Sequence, residues 1–597
     1  MDVIRLFLFT IFFLGFGNLS AQEVDEMVWW NPSNSDFPVV EGQAWNNYEI
    51  GTYNRLPNKA EGVVRPAVWN LSKNAAGLSI RFWSDAKAIV VRYGVKGSLA
   101  MPHMPATGVS GVDLYAKNSD GERYWYRGRY SFGDTIQYQF SNINPKENYH
   151  DKGREYKLYL PLYNDVEWLE IGVPSEAYLR PLPLRQEQPI VVYGTSIAQG
   201  GCASRPGMAW TSILERQMDR PLVNLGFSGN GRLEPEIIDM ITEIDAKVVV
   251  LECLPNLVAT KDRNLEDVLK LMNDAVIQIR VKRPNVPILL VEHGGYSDGL
   301  VDADRKSAYE NLNKMAKEAI GQLQEAGVCN VHLLSKDDIN LSMESFVDGT
   351  HPTDLGMMEY ALAYEKKLRG ILNEPVGINS TAKPVTQARE PGMYPWEERH
   401  QTLLRLNKEN PPKICFLGNS IVHYWGGQPK APISNGADSW EDNFGDVKTR
   451  NFGFGWDRIE NLLWRVYQGE LDGFEAEQIV LMIGTNNLHL NSDEEIIAGL
   501  EFLVKAIQQR QPKAKLLLVG LLPRAKKEPR IKNLNVEVAR MAKSNALAYA
   551  DVGKVLLQKD QKINASLFSD GLHPNAKGYA LLGQEIRKYL TSDHGNK

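Results

Sequence analysis

Two stretches decide the fold: PIVVYGTSIAQG at 189–200 and KICFLGNSIVHYW at 413–425. Each opens on a short apolar run, turns at a Gly, and passes through Ser196 or Ser420 into residues with helical periodicity. An apolar run without polar alternation belongs to a strand buried on both faces, as in a parallel sheet covered by helices. Outward from the first stretch, KVVVLEC, PILLVE and NVHLL repeat the pattern, with helical segments such as 265–281 and 305–325 between them. Outward from the second, VKTRNFG, QIVLMIG, KLLLVG and LAYADV do the same. The spacing predicts two α/β domains, at 186–373 and 396–597, joined by an aperiodic linker, 374–395. Residues 22–185 read differently. Short alternating runs such as AIVVRYGV and EYKLYLPLY are bounded by turn residues, and seven of the 13 tryptophans lie here, which predicts an all-β sandwich.

The two α/β segments share landmarks in one order. Ser196 and Ser420 follow the first strand; Gly226 and Gly229 match Gly453 and Gly455 after the second; Asn256 and Asn486 follow the third. Asp348-Gly-Thr-His351 and Asp570-Gly-Leu-His573 come near the end, with Ser-to-Asp separations of 152 and 150 residues. Any one of these residues alone has a bland reading, such as a helix N-cap for the Ser. Four landmarks in order, twice, identify an internal duplication.

In an open α/β sheet ligands sit beyond the carboxyl ends of the strands, where every landmark falls. Serine is a poor nucleophile until a base takes its proton. The imidazole of Asp-Gly-x-His can do so while the Asp, three residues earlier, holds its tautomer. Gly turns and Asn amides offer N–H donors to a tetrahedral oxyanion, each worth about 3–4 kcal/mol of barrier. The cysteines, His293 and His351 show no zinc-ligand spacing, and neither a metal nor an organic cofactor is expected.

On these residues both α/β segments resemble the SGNH hydrolases, the GDSL-type esterase superfamily, over about 189–373 and 411–589. The resemblance implies flavodoxin-like three-layer α/β/α domains. It places nucleophile, oxyanion Gly, oxyanion Asn and the Asp/His pair on Ser196, Gly229, Asn256, Asp348 and His351. In the second domain they fall on Ser420, Asn486, Asp570 and His573, with Trp456 in the slot where the oxyanion Gly is expected. Departures from the family pattern are Gly-Thr-Ser and Gly-Asn-Ser for Gly-Asp-Ser, and Glu-Cys-Leu-Pro-Asn for Gly-x-Asn-Asp in the first domain. GVDLY at 111–115 resembles the Gly-x-Asp-Leu-Tyr module that precedes one SGNH subfamily, here as a jelly-roll-like sandwich. By that resemblance, His103 and the Met104–Gly111 loop reach over the first site.

The rest of the sequence narrows the setting. A balance of 67 basic against 73 acidic residues leaves −6, with no basic excess for a phosphate backbone, so nucleic acid is not an expected partner. Arg5 precedes an apolar run, Leu6 to Phe16, then small or polar residues to Ala21. Such a run spans about 17 Å as a helix, well short of a roughly 30 Å bilayer core. Residues 1–21 read as a secretory signal peptide, and the mature chain as exported, periplasmic or extracellular, with no membrane span. Four cysteines are too few for a disulfide framework, though a bridge between Cys202 and Cys253 stays open. The expected function is a serine esterase that removes acetyl or other short acyl groups from a poly- or oligosaccharide. Aromatics near Ser420 (His423, Tyr424, Trp425, Trp456, Trp464) are candidates for sugar stacking, with Trp464 at core spacing. Two alternatives remain: a lipase, lysophospholipase or thioesterase with the same triad, or a binding protein in which one α/β domain is inactive and acts with the sandwich as a carbohydrate module.

Overall fold

The computed structural model describes residues 26–45, 53–445 and 448–590. The leader reading at 1–21 falls outside them.

Period-2 sequence makes the N-terminal sandwich. In Ala88–Val95, Ile89, Val91 and Tyr93 are buried, and in Ile136–Ser141 it is Ile136, Tyr138 and Phe140. Each buried side chain contributes about 1.5–3 kcal/mol. One antiparallel sheet runs Met27–Trp30, Val166–Pro174, Ala88–Val95, Ile136–Ser141, Arg129–Ser131. The other runs Leu179–Pro181, Ser79–Ser84, Arg154–Tyr159, Asp113–Lys117, Arg123–Tyr126, with Val40–Glu41 beside Ser79–Ser84. A single core holds Ile89 and Val91 of one sheet with Ile80 and Leu158 of the other.

The first α/β domain has five parallel strands in the order Leu222–Gly226, Ile190–Gly194, Val248–Glu252, Ile288–Val291, Val331–Leu334. The second repeats it: Thr449–Gly453, Ile414–Gly418, Gln478–Met482, Lys515–Val519, Ala548–Ala550. This is a 2-1-3-4-5 order, and its switch point lies between the first and third strands. The unalternating strands divide their side chains between two cores. Val191 and Tyr193 face Leu265–Lys282 and Ala303–Glu325, while Ile190 and Val192 face Trp210–Met218 and Asp354–Leu372. Among the described residues no helix is long and apolar enough to cross a membrane.

Charge joins the three parts. Asp219, at the left-handed end of Trp210–Met218, accepts hydrogen bonds from Arg123 of the sandwich (2.5 Å), Arg185 (2.9 Å) and the Trp464 indole of the second α/β domain (3.0 Å). Arg81 of the sandwich binds Glu41 (2.9 Å) and Glu397 of the second α/β domain (2.8 Å). The aperiodic segment 374–395 is also packed. Glu374 takes both Arg220 and Arg510, and Gln387 donates to the Gly455 carbonyl at 2.9 Å.

Candidate active sites

Ser196 and Ser420 each open a one-turn helix, Ser196–Gln199 and Ser420–His423, right after the central strand. The preceding residue caps it: Thr195 accepts from the Ile197 N–H (3.2 Å), and Asn419 from the Ile421 N–H (2.9 Å). This explains why the middle residue of the Gly-x-Ser turn is free to vary among short polar types.

Both sets of predicted catalytic residues meet. Ser196 Oγ lies 2.8 Å from His351 Nε2, whose Nδ1 is 2.8 Å from Asp348 Oδ2. In the second domain Ser420 Oγ is 2.8 Å from His573 Nε2, and His573 Nδ1 is 2.6 Å from Asp570 Oδ2. Each Asp also accepts its histidine's backbone N–H at 2.8 Å, so the tight Asp-Gly-x-His turn itself aims the ring. Burial pushes both carboxyls up, but the hydrogen bonds from backbone and ring outweigh it and hold them below the ordinary Asp range. They are thus ionised wherever the histidine needs an anionic partner.

The oxyanion candidates fall on the loops beside the serines. Gly226 and Gly453 pair with Gly194 and Gly418, and three residues on Gly229 (φ 68°) and Trp456 (φ 63°) hold the same left-handed backbone. Trp456 therefore occupies the Gly slot in conformation as well as in order. A left-handed non-glycine residue costs about 1–2 kcal/mol. With its amide oriented to satisfy its neighbours, Asn256 accepts the Asn230 and Gly231 N–H groups, both at 3.1 Å. Asn486 instead donates to the Asp457 carbonyl at 3.0 Å, leaving its second N–H free of that bond. Both amides so abut the turn that carries Gly229 or Trp456.

The sandwich reaches both sites. The His103 ring lies 6.0 Å from that of His351, and the Tyr163 hydroxyl donates to the Ser196 carbonyl at 3.2 Å. At the second site Tyr149 meets the Trp456 indole edge-on at 5.7 Å. Of the aromatics proposed for stacking around Ser420, His423, Tyr424, Trp425 and Trp464 are buried, whereas Trp456 is 37% exposed.

Cys202 and Cys253 are separate free thiols, so the bridge that stayed open from sequence is not formed. Cys253 faces the Tyr193 carbonyl at 3.6 Å behind the sheet. Cys202 stands beside the triad, its sulfur within 4.8 Å of ligand atoms of Asp348 and His351, the one such trio among the described residues. Burial, and then the Asp348 charge, push its thiol up to about 12.

Sequence reasoning passed over Glu252, although it stands in the divergent Glu-Cys-Leu-Pro-Asn block. Its carboxyl, 2% exposed, accepts the Thr195 N–H and hydroxyl, both at 2.9 Å, directly behind the nucleophile turn. Met482 holds the equivalent strand position in the second domain. Burial raises the Glu252 carboxyl from 4.5 to about 7, against the pull of its hydrogen bonds. A raised acid favours the folded state most below its unfolded value, so this contribution declines as pH rises from about 4.5 to about 7 and then levels off. Glu252→Gln lacks that slope. Its thermal midpoint is expected to gain on wild type between pH 5 and pH 8, as read by differential scanning calorimetry.

Comparison with known proteins follows the same division. Residues 187–369 and 416–581 each match a family described as GDSL-like lipase/acylhydrolase, and residues 27–179 match the N-terminus of SGNH-hydrolase-type esterases. The crystal structure of a candidate GDSL-like lipase from Bacteroides ovatus aligns with a TM-score of 0.53 at 30% identity, covering 58% of this chain and 98% of that one. Platelet-activating factor acetylhydrolase IB subunit alpha2 of Homo sapiens is 30% identical over 200 residues, which are 33% of this chain and 83% of that protein. Subunit alpha1 of Bos taurus is 27% identical over 227 residues, 36% of this chain and 93% of its own.

Proposed function

Because the chain belongs to the GDSL-like lipase/acylhydrolase family, a family of ester hydrolases, we propose that it cleaves short acyl esters, acetyl first, at two Ser-His-Asp sites. The esters are those of an oligo- or polysaccharide outside the cytoplasm. The observation that carries the reading is the repeated geometry: two serines, each 2.8 Å from an imidazole that a carboxylate holds from behind.

The proposed reaction uses these contacts. Ser196 or Ser420 Oγ bonds to the acyl carbon as its proton passes to Nε2 of His351 or His573. The adjacent carboxylate steadies the resulting imidazolium. The tetrahedral oxyanion is met by the backbone N–H of Gly229 or Trp456 and the amide of Asn256 or Asn486. Collapse breaks the ester C–O bond, and the imidazolium protonates the departing alcohol. Water, deprotonated by the same histidine, then attacks the acyl-enzyme and releases the carboxylic acid with the serine restored.

The acetyl preference is supported by the acetylhydrolase relatives. Wild-type protein is expected to hydrolyse 4-nitrophenyl acetate with a higher kcat/KM than 4-nitrophenyl octanoate. The reverse order would move the chain to the long-chain lipase reading.

A further inference from the structure

The two triads are alike, but their surroundings differ at one position. In the first site, a Cβ built on Gly229 would meet nothing within 4 Å, so the space beside the oxyanion turn is open. In the second, the same backbone position carries Trp456 in the left-handed conformation at φ 63°. A bulky residue held there is a functional signal, because glycine would satisfy the backbone without strain. Core packing does not account for the indole, since it is 37% exposed.

The ring is nonetheless fixed. Arg389 donates to the Trp456 carbonyl at 3.0 Å and to Asp120 of the sandwich at 2.8 Å. Arg458 ties Asp120 (3.2 Å) to the hydroxyl of Tyr149 (2.9 Å), whose ring braces the indole at 5.7 Å. The turn that carries Trp456 is tied to the groups around Ser420. Next to Trp456, Gly455 donates to His423 of the nucleophile helix at 3.1 Å, and Asp457 accepts from Asn486. Tyr424, 5.4 Å from the catalytic histidine ring, points its hydroxyl at Glu390 (3.4 Å).

A part-exposed aromatic held by Tyr149 suits a ligand with a broad, flat C–H face. A pyranose ring has that form and an extended acyl chain does not. We infer that Trp456 is the sugar-binding platform of the second site, stacking the pyranose whose acyl ester faces Ser420, with the sandwich contributing Tyr149 as its brace. The inference rests on the reading of Ser420 as the nucleophile of an ester hydrolase, and it makes the second site the more selective of the two.

The test separates binding from turnover. Acetylated xylohexaose is titrated calorimetrically into the Ser196→Ala/Ser420→Ala protein and into the same protein carrying Trp456→Gly or Trp456→Phe. Glycine fits the backbone already present at Gly229, and phenylalanine keeps a stacking face. The expected result is a binding event weakened at least about tenfold by Trp456→Gly and retained within about threefold by Trp456→Phe. Unchanged affinity in Trp456→Gly, equal loss in both variants, or no binding by the parent would each overturn the platform. Absence of acetate release by wild-type protein would instead overturn the esterase reading, while the binding result would still decide the role of Trp456.

Discussion

Alanine at both Ser196 and Ser420 is expected to lower kcat on 4-nitrophenyl acetate by about 10⁴-fold or more, because each triad loses the atom that forms the acyl-enzyme. Each single variant should retain the turnover of the other site, so the two residual rates sum to that of wild type. Additivity is expected on structural grounds. The Ser196 set draws on Asp348 and His351, the Ser420 set on Asp570 and His573, and the two sets share no side chain. KM in each single variant reports one site alone. A double variant that hydrolyses as fast as wild type would remove both serines from the mechanism.

Asp219→Ala should produce the largest loss of stability. Asp219, in the first α/β domain, is 8% exposed and answers Arg123 and Arg185 of the sandwich segment and the Trp464 N–H of the second α/β domain. Removing one partner of a buried charge network leaves the others desolvated and unpaired, a cost of about 3–5 kcal/mol. Calorimetry should show a thermal transition lowered by about 10 °C, and limited proteolysis should cut near 374–395. Low pH should imitate the variant. Burial raises Asp219, Glu41 and Glu397, but the facing arginines and lysines hold all three carboxyls below their ordinary values, Glu41 at about 2. A depressed acid stabilises the fold above its unfolded value. That contribution is therefore present at neutral pH and lost as pH falls below about 4 toward the folded values. An Asp219→Ala transition no lower than that of wild type would contradict this role.

What could be read from sequence was whatever repeats or alternates. The strands of both α/β domains announce themselves as unbroken apolar runs because they are covered on both faces. The triads emerge because four landmarks recur in order, although no single Ser or His would have been distinctive. Trp464 was legible as core from its helical spacing, but not as a partner of Asp219, 245 residues earlier. That pairing depends on how three domains meet, and no local pattern encodes it. The connector misleads in the same way. Its aperiodic composition suggests a simple tether, yet Gln387 and Arg389 reach backbone carbonyls of the second oxyanion turn. Glu252 was visible as a departure from the family block, but its burial against Thr195 without a facing cation is a three-dimensional fact. The aromatics around Ser420 could not be sorted by sequence, since only their packing separates Trp425, fully buried against Phe416 and Trp440, from the part-exposed Trp456.

The central claim is that the chain carries two activated serines. It is tested most directly by intact-mass spectrometry after reaction with a fluorophosphonate, which phosphonylates only serines whose proton a neighbouring base removes. Two adducts per chain, mapping to Ser196 and Ser420, with one left in each single alanine variant, is the predicted result. A wild-type chain that takes up one adduct, or none, would contradict it.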